Sequence, residues 1–351
     1  MTTTLPPSSR DVYRDIVTES LPADERLVCL DSDTGLFSGV DWGAAADRYV
    51  NIGIAEHTMM GAAAGLAKQG RVPFVNTMAA FAASRAVEAV KIDIALNNLP
   101  VRIAATHSGV SAGHLGPTHH ALEDLAAMRA LPNMTVVVPA DAASAGELIR
   151  QAIALPGPAY LRLGRNATPD LPAGPPIELG KAQVLREGAD ITLAACGAYP
   201  VLAALEAAEL LRQEGIEAGV LHVHTVKPLD TAALAAAASL TGIVLTVEEH
   251  WHAGGFGSAV AESLTGLLPV MVHRVAMPDA FVPVSGGQRY LLERAGITGP
   301  AVADRARSAL EGYSERPSDR GPADPWSPRR AAPPMGWRWA TGGRSLQFKH
   351  L

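Results

Sequence analysis

The sequence predicts an α/β protein made of two doubly wound domains, and three observations support this. Short apolar runs typical of strands alternate with helical stretches twice along the 351 residues. The run at 135–138, Thr-Val-Val-Val, is continuously apolar, as expected for a parallel strand covered on both faces. A segment rich in proline and glycine at 166–180 separates the two alternating series. We therefore expect one domain over residues 8–168, a second over 181–312 and a tail over 313–351.

A length of 351 residues and a hydrophobic content of 48% suit about two domains, each with its own core. A net charge of −6 provides no general basic surface of the kind that binds nucleic acid. Cys29 and Cys196 each lie in an apolar run, so we expect buried thiols, which fits a cytoplasmic protein. The first residues lack an apolar signal, and no stretch is long and apolar enough to span a bilayer. We therefore expect neither nucleic acid nor a membrane as a partner.

The first alternating series is expected to begin with a helix over 11–20 and a strand over 26–30. An acidic turn that ends in Asp33 follows this strand, at the sheet edge where open α/β proteins bind their ligands. Asp141 is expected to cap the helix that follows it, because a carboxylate accepts backbone hydrogen bonds at a helix start. The remaining predicted elements are strands over 49–54, 72–75, 101–105, 135–138 and 159–163, and helices over 81–97, 121–130 and 142–154.

The second series shows the same alternation of strands and helices, whereas the tail shows none. The second series predicts strands over 191–195, 218–223, 243–247 and 270–275, and helices over 200–214, 231–239 and 257–267. The tail over 313–351 carries seven basic and three acidic residues and three tryptophans among many prolines. Such a composition is typical either of a flexible segment or of one that becomes ordered on a partner, and both interpretations stay open.

The stretch from 49 to 67 passes from a short apolar strand into a helix made almost entirely of small residues. Glu56 lies in the first turn of this helix, where free backbone N–H groups and the helix dipole favour an anion. An isolated glutamate there most often only stabilises the helix start. The helix behind it, however, has no polar face for two turns and is expected to be buried on all sides. A carboxylate in such a low-dielectric place is a candidate functional group.

The segment at 52–57, Ile-Gly-Ile-Ala-Glu-His, resembles the pyrimidine-domain motif of transketolases, in which the glutamate binds thiamine diphosphate. Further blocks of that family follow in order: Thr-His-Ser-Gly-Val at 106–110, Gly-Pro-Thr-His at 116–119, Leu-Glu-Asp at 122–124, Met-Arg-Ala-Leu-Pro-Asn-Met at 128–134, and a late block from Val-Glu-Glu-His at 247–250 to Gly-Gly-Phe-Gly at 254–257. Ordered blocks that cover about residues 10 to 310 are much more specific than one hexapeptide.

The resemblance assigns cofactor roles to several residues. It implies that Glu56 hydrogen-bonds the aminopyrimidine ring and favours the tautomer that activates the cofactor. Phe81 matches the position that stacks on this ring, and Met78 occupies another position that is usually aromatic. On spacing alone, Phe81 and Met78 fit a plain core almost equally well. Asp33, at the ligand-binding edge, is also assigned to the cofactor site.

The same resemblance assigns substrate roles. His107 and His119 match positions that contact substrate hydroxyls and transfer protons near the reacting carbon. Arg165 matches a position that binds a sugar phosphate, for which a guanidinium is well suited. His114 and Leu115 replace the Glu-Asp of ordinary transketolases, and we assign them to substrate binding as well.

Leucine at 115 can offer no hydrogen bond to the donor hydroxyl that the family aspartate contacts, at a cost of about 1–3 kcal/mol. Phe37 falls near a family serine that contacts the substrate phosphate. We therefore expect a poor ordinary transketolase that prefers a less hydroxylated or unphosphorylated substrate in a specialised biosynthetic pathway. The alternative is that His114 or a partner chain replaces the lost contacts.

No Gly-Asp-Gly motif occurs in the chain, although this motif holds the metal and the diphosphate in thiamine diphosphate enzymes. The resemblance therefore implies the C-terminal subunit of a split transketolase. Its site would be completed by an N-terminal subunit that holds most of the Mg²⁺ and diphosphate contacts, most simply as α2β2. The pairs His222/His224 and His250/His252 lack companion ligands, so we expect no metal site within this chain. Two alternatives are the β subunit of a 2-oxo acid dehydrogenase and a catalytically silent scaffold subunit.

Overall fold

Two sheets, one in each half of the chain, organise the computed structural model, which describes residues 5–172 and 174–314. The strands are β1 (Leu27–Asp31), β2 (Tyr49–Asn51), β3 (Val72–Met78), β4 (Arg102–Thr106), β5 (Thr135–Val137), β6 (Ala159–Arg162), β7 (Gln183–Arg186), β8 (Ile191–Cys196), β9 (Ala218–His222), β10 (Thr225–Lys227), β11 (Ile243–Trp251) and β12 (Met271–Met277). All but the first two residues of the predicted tail lie outside the described residues, so both interpretations of the tail remain open.

The helices lie between these strands in the alternation that the sequence predicts. They are α1 (Ser9–Ala23), α2 (Glu56–Lys68), α3 (Ala79–Ala82), α4 (Val87–Ala89), α5 (Asp124–Ala130), α6 (Ala142–Ile153), α7 (Ala198–Arg212), α8 (Thr231–Thr241), α9 (Phe256–Leu267), α10 (Gln288–Arg294) and α11 (Gly299–Ser314). Short 3₁₀ turns occur at Gly43–Arg48, Gly113–Leu115 and Pro117–His119. Within the described ranges, no helix is long and apolar enough to cross a bilayer.

The first sheet has the strand order β10-β5-β6-β4-β3-β1-β2, and the second has β12-β11-β8-β9-β7. Neighbouring strands are parallel except that β10 is antiparallel to β5 and β7 is antiparallel to β9. This topology confirms the predicted α/β class. β10 comes from the second half of the sequence but extends the first sheet, pairing Thr225 with Val137. The domain boundaries at 168 and 181 remain predictions.

Three buried hydrophobic clusters lie against the two sheets. One packs α1 and α6 on the first sheet, a second packs α7, α10 and α11 on the second sheet, and a third contains residues from both sheets. Phe37 belongs to the first cluster, where its ring lies 5.4 Å from that of Trp42 and 5.7 Å from that of Tyr49. Phe37 is therefore a core residue, and its place near a substrate-phosphate contact stays a prediction.

Local hydrogen bonds explain several helix starts. Asp141 accepts from the backbone N–H of Ser144 at 2.8 Å, while the Ser144 hydroxyl accepts from the backbone N–H of Asp141, which confirms the predicted cap of α6. Asp230 caps α8 in the same way through the backbone N–H of Ala233. Both cysteines are free and buried, as predicted.

Two predicted elements are wrong in detail near Glu56. The strand predicted over 49–54 ends at Asn51, because the Asn51 side chain accepts from the backbone N–H of Gly53, whose φ of +78° turns the chain. The helix α2 is not buried on all sides within this chain: its Thr58, Ala62 and Gly65 are exposed. The apolar sequence of α2 therefore reflects one core face and one face of small residues that remains open.

The single helix predicted over 81–97 is also wrong. The structure has α3, a turn at 83–86, α4 and then a π-helix over Val90–Ala95. The backbone N–H of Ala86 donates to the carbonyl of Phe81 at 3.3 Å, one residue wider than in an α-helix. Such widened segments are frequent at functional sites. Arg85 belongs to this turn, and its guanidinium lies over the Phe81 ring.

Candidate cofactor and substrate site

Four neighbouring parallel strands end at one edge of the first sheet, in the order β6-β4-β3-β1. We call the residues just beyond these strands the site edge. Arg165 follows β6, His107 follows β4, Met78 ends β3 and Asp33 follows β1. Because parallel strands all point the same way, residues far apart in sequence meet at this edge, which is where open α/β sheets bind ligands.

Glu56 is the first residue of α2, and its side chain is 4% exposed. The Nη1 atom of Arg85 lies 3.4 Å from Oε2 of Glu56, which is long for a charge-assisted hydrogen bond. The same guanidinium lies over the Phe81 ring, 4.2 Å from the ring centroid. Arg85 thus connects two residues that the sequence assigned to the cofactor, although it was not itself predicted. The sequence signal was an arginine four residues after Phe81, a spacing that places two side chains side by side on a helix.

His119 lies on the other side of this group. Its ring stands edge-on to that of Phe81, with centroids 5.3 Å apart and planes at 71°. Its Nδ1 lies 2.9 Å from the Thr118 hydroxyl, a contact that orients the ring. The structure therefore brings together Glu56, Phe81 and His119, three of the predicted site residues. Met78 is half-buried directly before α3, as the last residue of β3.

His107 is buried immediately after β4 in a left-handed conformation, with a φ of +57°. Its Nδ1 lies 3.0 Å from the Thr106 hydroxyl. Burial, together with the positive charges of Arg10 and Arg165, lowers the pKa of His107 to about 4. His107 is therefore neutral at neutral pH, so one ring nitrogen can accept a hydrogen bond while the other donates one.

Arg165 and His114 lie together at the exposed mouth of the site. The Nη1 of Arg165 is 2.9 Å from Nε2 and 3.0 Å from Nδ1 of His114. Within the described part of the chain, Arg165 has no carboxylate partner. Leu115 is 43% exposed beside His114 in the same 3₁₀ turn. A guanidinium without a carboxylate partner, next to an imidazole, can receive an anion.

Asp33 is placed differently from the other predicted residues. It is exposed, has a φ of +59°, and accepts a hydrogen bond from the Asn51 side chain at 3.0 Å. The buried carboxylate of this turn is instead Asp31, which accepts from Asn76 and from the Tyr49 hydroxyl. Among the described contacts, none joins Asp33 to Glu56 or Phe81, so its cofactor role stays a prediction based on the sheet edge alone.

A buried polar group behind the site holds the loop that carries the histidines. We call Asp124, Tyr160, Arg162, Glu249 and Gln288 the junction network. Arg162 donates to Asp124 at 2.7 Å and to the carbonyls of Ala121 and Glu249 at 2.9 and 3.0 Å. The Tyr160 hydroxyl also donates to Asp124, at 2.8 Å. The Leu-Glu-Asp block at 122–124 was recognised in the sequence, but this structural role was not.

Glu249 joins the two sheets at this network. It accepts from the backbone N–H of Val110 at 2.6 Å and from the amide of Gln288 at 2.8 and 2.9 Å. Burial raises the pKa of Glu249, and these donors and Arg162 oppose that rise. Gly109 has a φ of +59°, and a Cβ there would collide with the Glu249 carboxylate. Glycine is therefore required where the loop after His107 passes over Glu249.

The late sequence block at 247–257 has a structural explanation in Glu248. Its two carboxylate oxygens accept from the backbone N–H groups of Phe256 and Gly257, at 2.6 and 2.8 Å, and so hold the first turn of α9. Burial raises the pKa of Glu248 to about 7. A Cβ at Gly255 or Gly257 would collide with Glu248 or with atoms around it. The Gly-Gly-Phe-Gly sequence therefore provides space for a buried carboxylate.

Both halves of the chain match domains of one known family. Residues 6–170 match the transketolase pyrimidine-binding domain, and residues 180–302 match the transketolase C-terminal domain. The chain belongs to the transketolase family. The predicted family, fold and transferase class are thereby confirmed, and membership implies thiamine diphosphate as the cofactor.

The relatives of this transketolase chain include separate subunits. The 6-deoxy-6-sulfo-D-fructose transketolase subunit SqwH of Clostridium sp. (strain MSTE9) is 39% identical over 305 residues, which cover 86% of this chain and 94% of that protein. An apulose-4-phosphate transketolase subunit of Phocaeicola vulgatus is 39% identical over 266 residues, covering 75% of this chain and 83% of that protein.

A solved structure described as a split gene transketolase, an inactive β4 tetramer, is 41% identical. It superposes with a TM-score of 0.80, covering 87% of this chain and 99% of that chain. These similarities confirm the prediction of a C-terminal subunit of a split transketolase. They favour it over the alternative of a 2-oxo acid dehydrogenase β subunit.

Proposed function

We propose that this transketolase subunit supplies the pyrimidine-facing and substrate-facing half of an active site that a partner subunit completes. The observation that carries the proposal is the group formed by Glu56, Phe81 and His119 at the site edge. These residues fit the cofactor of the family. Phe81 already bears a flat cationic group on its face at 4.2 Å, and Glu56 is buried beside that group.

Thiamine diphosphate supplies, when bound, the carbon nucleophile that takes up the two-carbon ketol unit. Glu56 would share a proton between its Oε2 and the ring nitrogen of the aminopyrimidine. Phe81 would stack on that ring and fix its plane. His107 and His119 would hold substrate hydroxyls. Because the pKa of His107 is lowered to about 4, its ring stays neutral near neutral pH and would accept a hydrogen bond from a substrate hydroxyl.

An exposed apolar face supports the requirement for a partner. Ile54 is 74% exposed and Leu96 75% exposed, and Ile92, Ala62 and Gly65 are also exposed or partly exposed. We call these five residues the partner face. They lie on α2 and on segments adjacent to it, next to Glu56. Exposed apolar side chains on neighbouring elements are typical of a permanent interface.

We assign the diphosphate and Mg²⁺ mainly to the partner subunit. This chain has no Gly-Asp-Gly motif. Within the described ranges, moreover, no cluster of three or more His, Cys, Asp or Glu side chains could hold a metal ion. The inactive β4 tetramer of the similar split transketolase also fits a chain that needs its partner. The simplest assembly is α2β2, in a cytoplasmic enzyme of a biosynthetic pathway.

The mouth of the site supports a substrate that ends in an anionic group. Arg165 and His114 lie within 3.0 Å of each other and face no carboxylate that the described contacts include. The names of two relatives contain a sulfonated sugar and a sugar phosphate, which both end in an anion. We therefore favour His114, together with Arg165, as the group that binds this anion. Leu115 still offers no hydrogen bond, so a donor with fewer hydroxyls is favoured.

Assembly is tested with the purified chain, an N-terminal subunit that carries Gly-Asp-Gly, and the two together. We expect turnover only from the mixture, in a hetero-oligomer measured by analytical ultracentrifugation. Changing Ile54 and Leu96 to serine should raise the dissociation constant at least about tenfold, because apolar area is lost from the interface. Leu240→Ser, at another exposed leucine, is the matched control and should leave it unchanged. Full activity of the lone chain would refute the proposal.

The substrate class is tested by steady-state kinetics of the assembled pair on matched phosphorylated, sulfonated and unphosphorylated ketoses. We expect Arg165→Gln to raise KM for anionic donors about tenfold or more and to change KM for neutral donors little. For xylulose 5-phosphate with ribose 5-phosphate, we expect kcat/KM below about 10⁴ M⁻¹s⁻¹, the lower end of the usual enzyme range. A higher value would contradict the expected departure from ordinary transketolases.

A further inference from the structure

Arg85 has no assigned role, yet it contacts both groups that the cofactor ring would need. Its guanidinium lies 4.2 Å from the Phe81 centroid, and its Nη1 lies 3.4 Å from Oε2 of Glu56. We propose that Arg85 occupies the place of the aminopyrimidine ring in the unliganded subunit and must leave it before the cofactor can bind. This proposal rests on the proposed function of the site.

The chemistry of the two groups is similar. A guanidinium is flat, carries N–H donors in its plane and stacks on aromatic faces. An aminopyrimidine is also flat and pairs with a carboxylate in its own plane. One face of Phe81 cannot hold both groups, and His119 already stands edge-on to the same ring. Arg85 is therefore an internal competitor of the cofactor for Phe81 and Glu56.

Geometry gives a second reason why Arg85 must leave. The Arg85 contact uses Oε2 of Glu56, and the Glu56 side chain is 4% exposed. A cofactor ring that pairs with this carboxylate needs the same buried oxygen. The two donors therefore compete for one acceptor.

The structure also makes the departure of Arg85 inexpensive. Its side chain is 52% exposed, and a contact of 3.4 Å at such a site contributes little. The residue lies in the turn at 83–86 between α3 and α4, outside the regular hydrogen bonding of either helix. The side chain can therefore rotate toward solvent without any change in the core.

The test is calorimetric titration of thiamine diphosphate, with saturating Mg²⁺, into the assembled pair carrying wild-type or variant chains. Arg85→Met removes the charge and the planar guanidinium group but keeps most of the length of the side chain. We expect its dissociation constant to be about three- to tenfold lower than wild type, because the competing contacts are lost. Arg85→Lys keeps the charge without the planar group, so its dissociation constant should lie between those of wild type and Arg85→Met.

The matched control is Arg14→Met, at another partly exposed arginine, 2.8 Å from Asp15 on α1, and it should leave cofactor affinity unchanged. Thermal unfolding of the variants checks that each is folded. A dissociation constant that rises in Arg85→Met would make Arg85 a cofactor ligand, and an unchanged one would make it a bystander; either result overturns the proposal. Failure of the wild-type pair to bind thiamine diphosphate would instead refute the proposed function.

Discussion

The site edge and the junction network contain similar charged side chains, but these differ in how many close hydrogen bonds they make. At the junction network, the carboxylate of Glu249 accepts three hydrogen bonds from two groups, and Arg162 donates to three acceptors within 3.0 Å. At the site edge, Glu56 has one long contact to a half-exposed arginine, and Arg165 meets only an imidazole. Both regions lie close to the loop that carries His107 and His119.

The difference separates the polar groups that hold the fold from those available for chemistry. A buried charge without good partners is costly, so the buried charges of the junction network each have close partners, although Oδ1 of Asp124 accepts no hydrogen bond, whereas those at functional sites are left incompletely paired. The junction network fixes the loop between the two sheets, while the site edge retains the hydrogen-bonding capacity that ligands require. Substitutions in the two regions should therefore affect different measurements.

The largest effect on stability is expected for Arg162→Met. Removing the guanidinium leaves Asp124 buried without its charged partner, which costs about 3–5 kcal/mol in the free energy of unfolding. Urea denaturation of the chain measures this loss. Arg85→Met, which removes a half-exposed arginine from the site edge, should change the same free energy by less than about 1 kcal/mol. Equal losses from the two variants would remove the distinction between the regions.

Glu56→Gln should reduce turnover strongly and change the free energy of unfolding little. We expect turnover of the assembled pair to fall by about a hundredfold or more, because the amide cannot share a proton with the cofactor ring. The free energy of unfolding should change by less than about 1 kcal/mol. Glu249→Gln is the same chemical change at the junction network and should reduce turnover less than about tenfold while it lowers stability. Near-normal turnover of Glu56→Gln would reduce this residue to a helix-start anion.

His222 and His224 should make the stability of the folded chain depend on pH. Their rings are buried 5.2 Å apart near the crossing from β9 to β10. Burial lowers the pKa of His222 to about 3 and that of His224 to about 4. The unfolded chain takes up these protons below about pH 6.5, so stability is complete above that pH and is lost as the pH falls. The loss is about 2 kcal/mol per histidine at pH 5.

The measurement is the free energy of unfolding of wild type and His224→Asn between pH 7.5 and 5. The variant should lose less stability over this range than wild type does. His57→Asn, at an exposed histidine, should keep the wild-type slope. Glu248 titrates in the opposite sense, because its raised pKa of about 7 stabilises the folded state as the pH falls. The difference between variant and wild type isolates the histidine, and identical slopes would contradict the prediction.

The smallest effect is expected for Phe81→Leu. Loss of aromatic stacking should weaken binding of thiamine diphosphate to the assembled pair by up to about tenfold, or about 0.5–1.5 kcal/mol. Phe281→Leu, at an exposed phenylalanine of the second half, should leave cofactor affinity unchanged. Calorimetric titration measures both. A Phe81 variant with wild-type affinity would make Phe81 a plain core residue, the alternative that the sequence left open.

The sequence alone determined the fold class, the family and most of the candidate site. Parallel strands covered on both faces leave continuous apolar runs, and helix caps leave short local patterns, so alternation and residues such as Asp141 could be recognised directly. Glu56, His107 and His119 could be named because they lie in ordered motifs, and Phe81 because it matches a family position near them. These signals depend on residues that are close together in the sequence, so they can be recognised without the structure.

The tertiary structure decided what depends on approach between distant segments. Arg85 reaches Glu56, 29 residues earlier in the chain, only through the tertiary fold. Phe37 could be placed in an aromatic core only when its neighbours were known. Glu249 acts on Val110, 139 residues away, and its role leaves no periodic trace in the sequence. Pairing of buried charges is a property of three-dimensional neighbours, so the fold alone distinguishes a structural carboxylate from one available for chemistry.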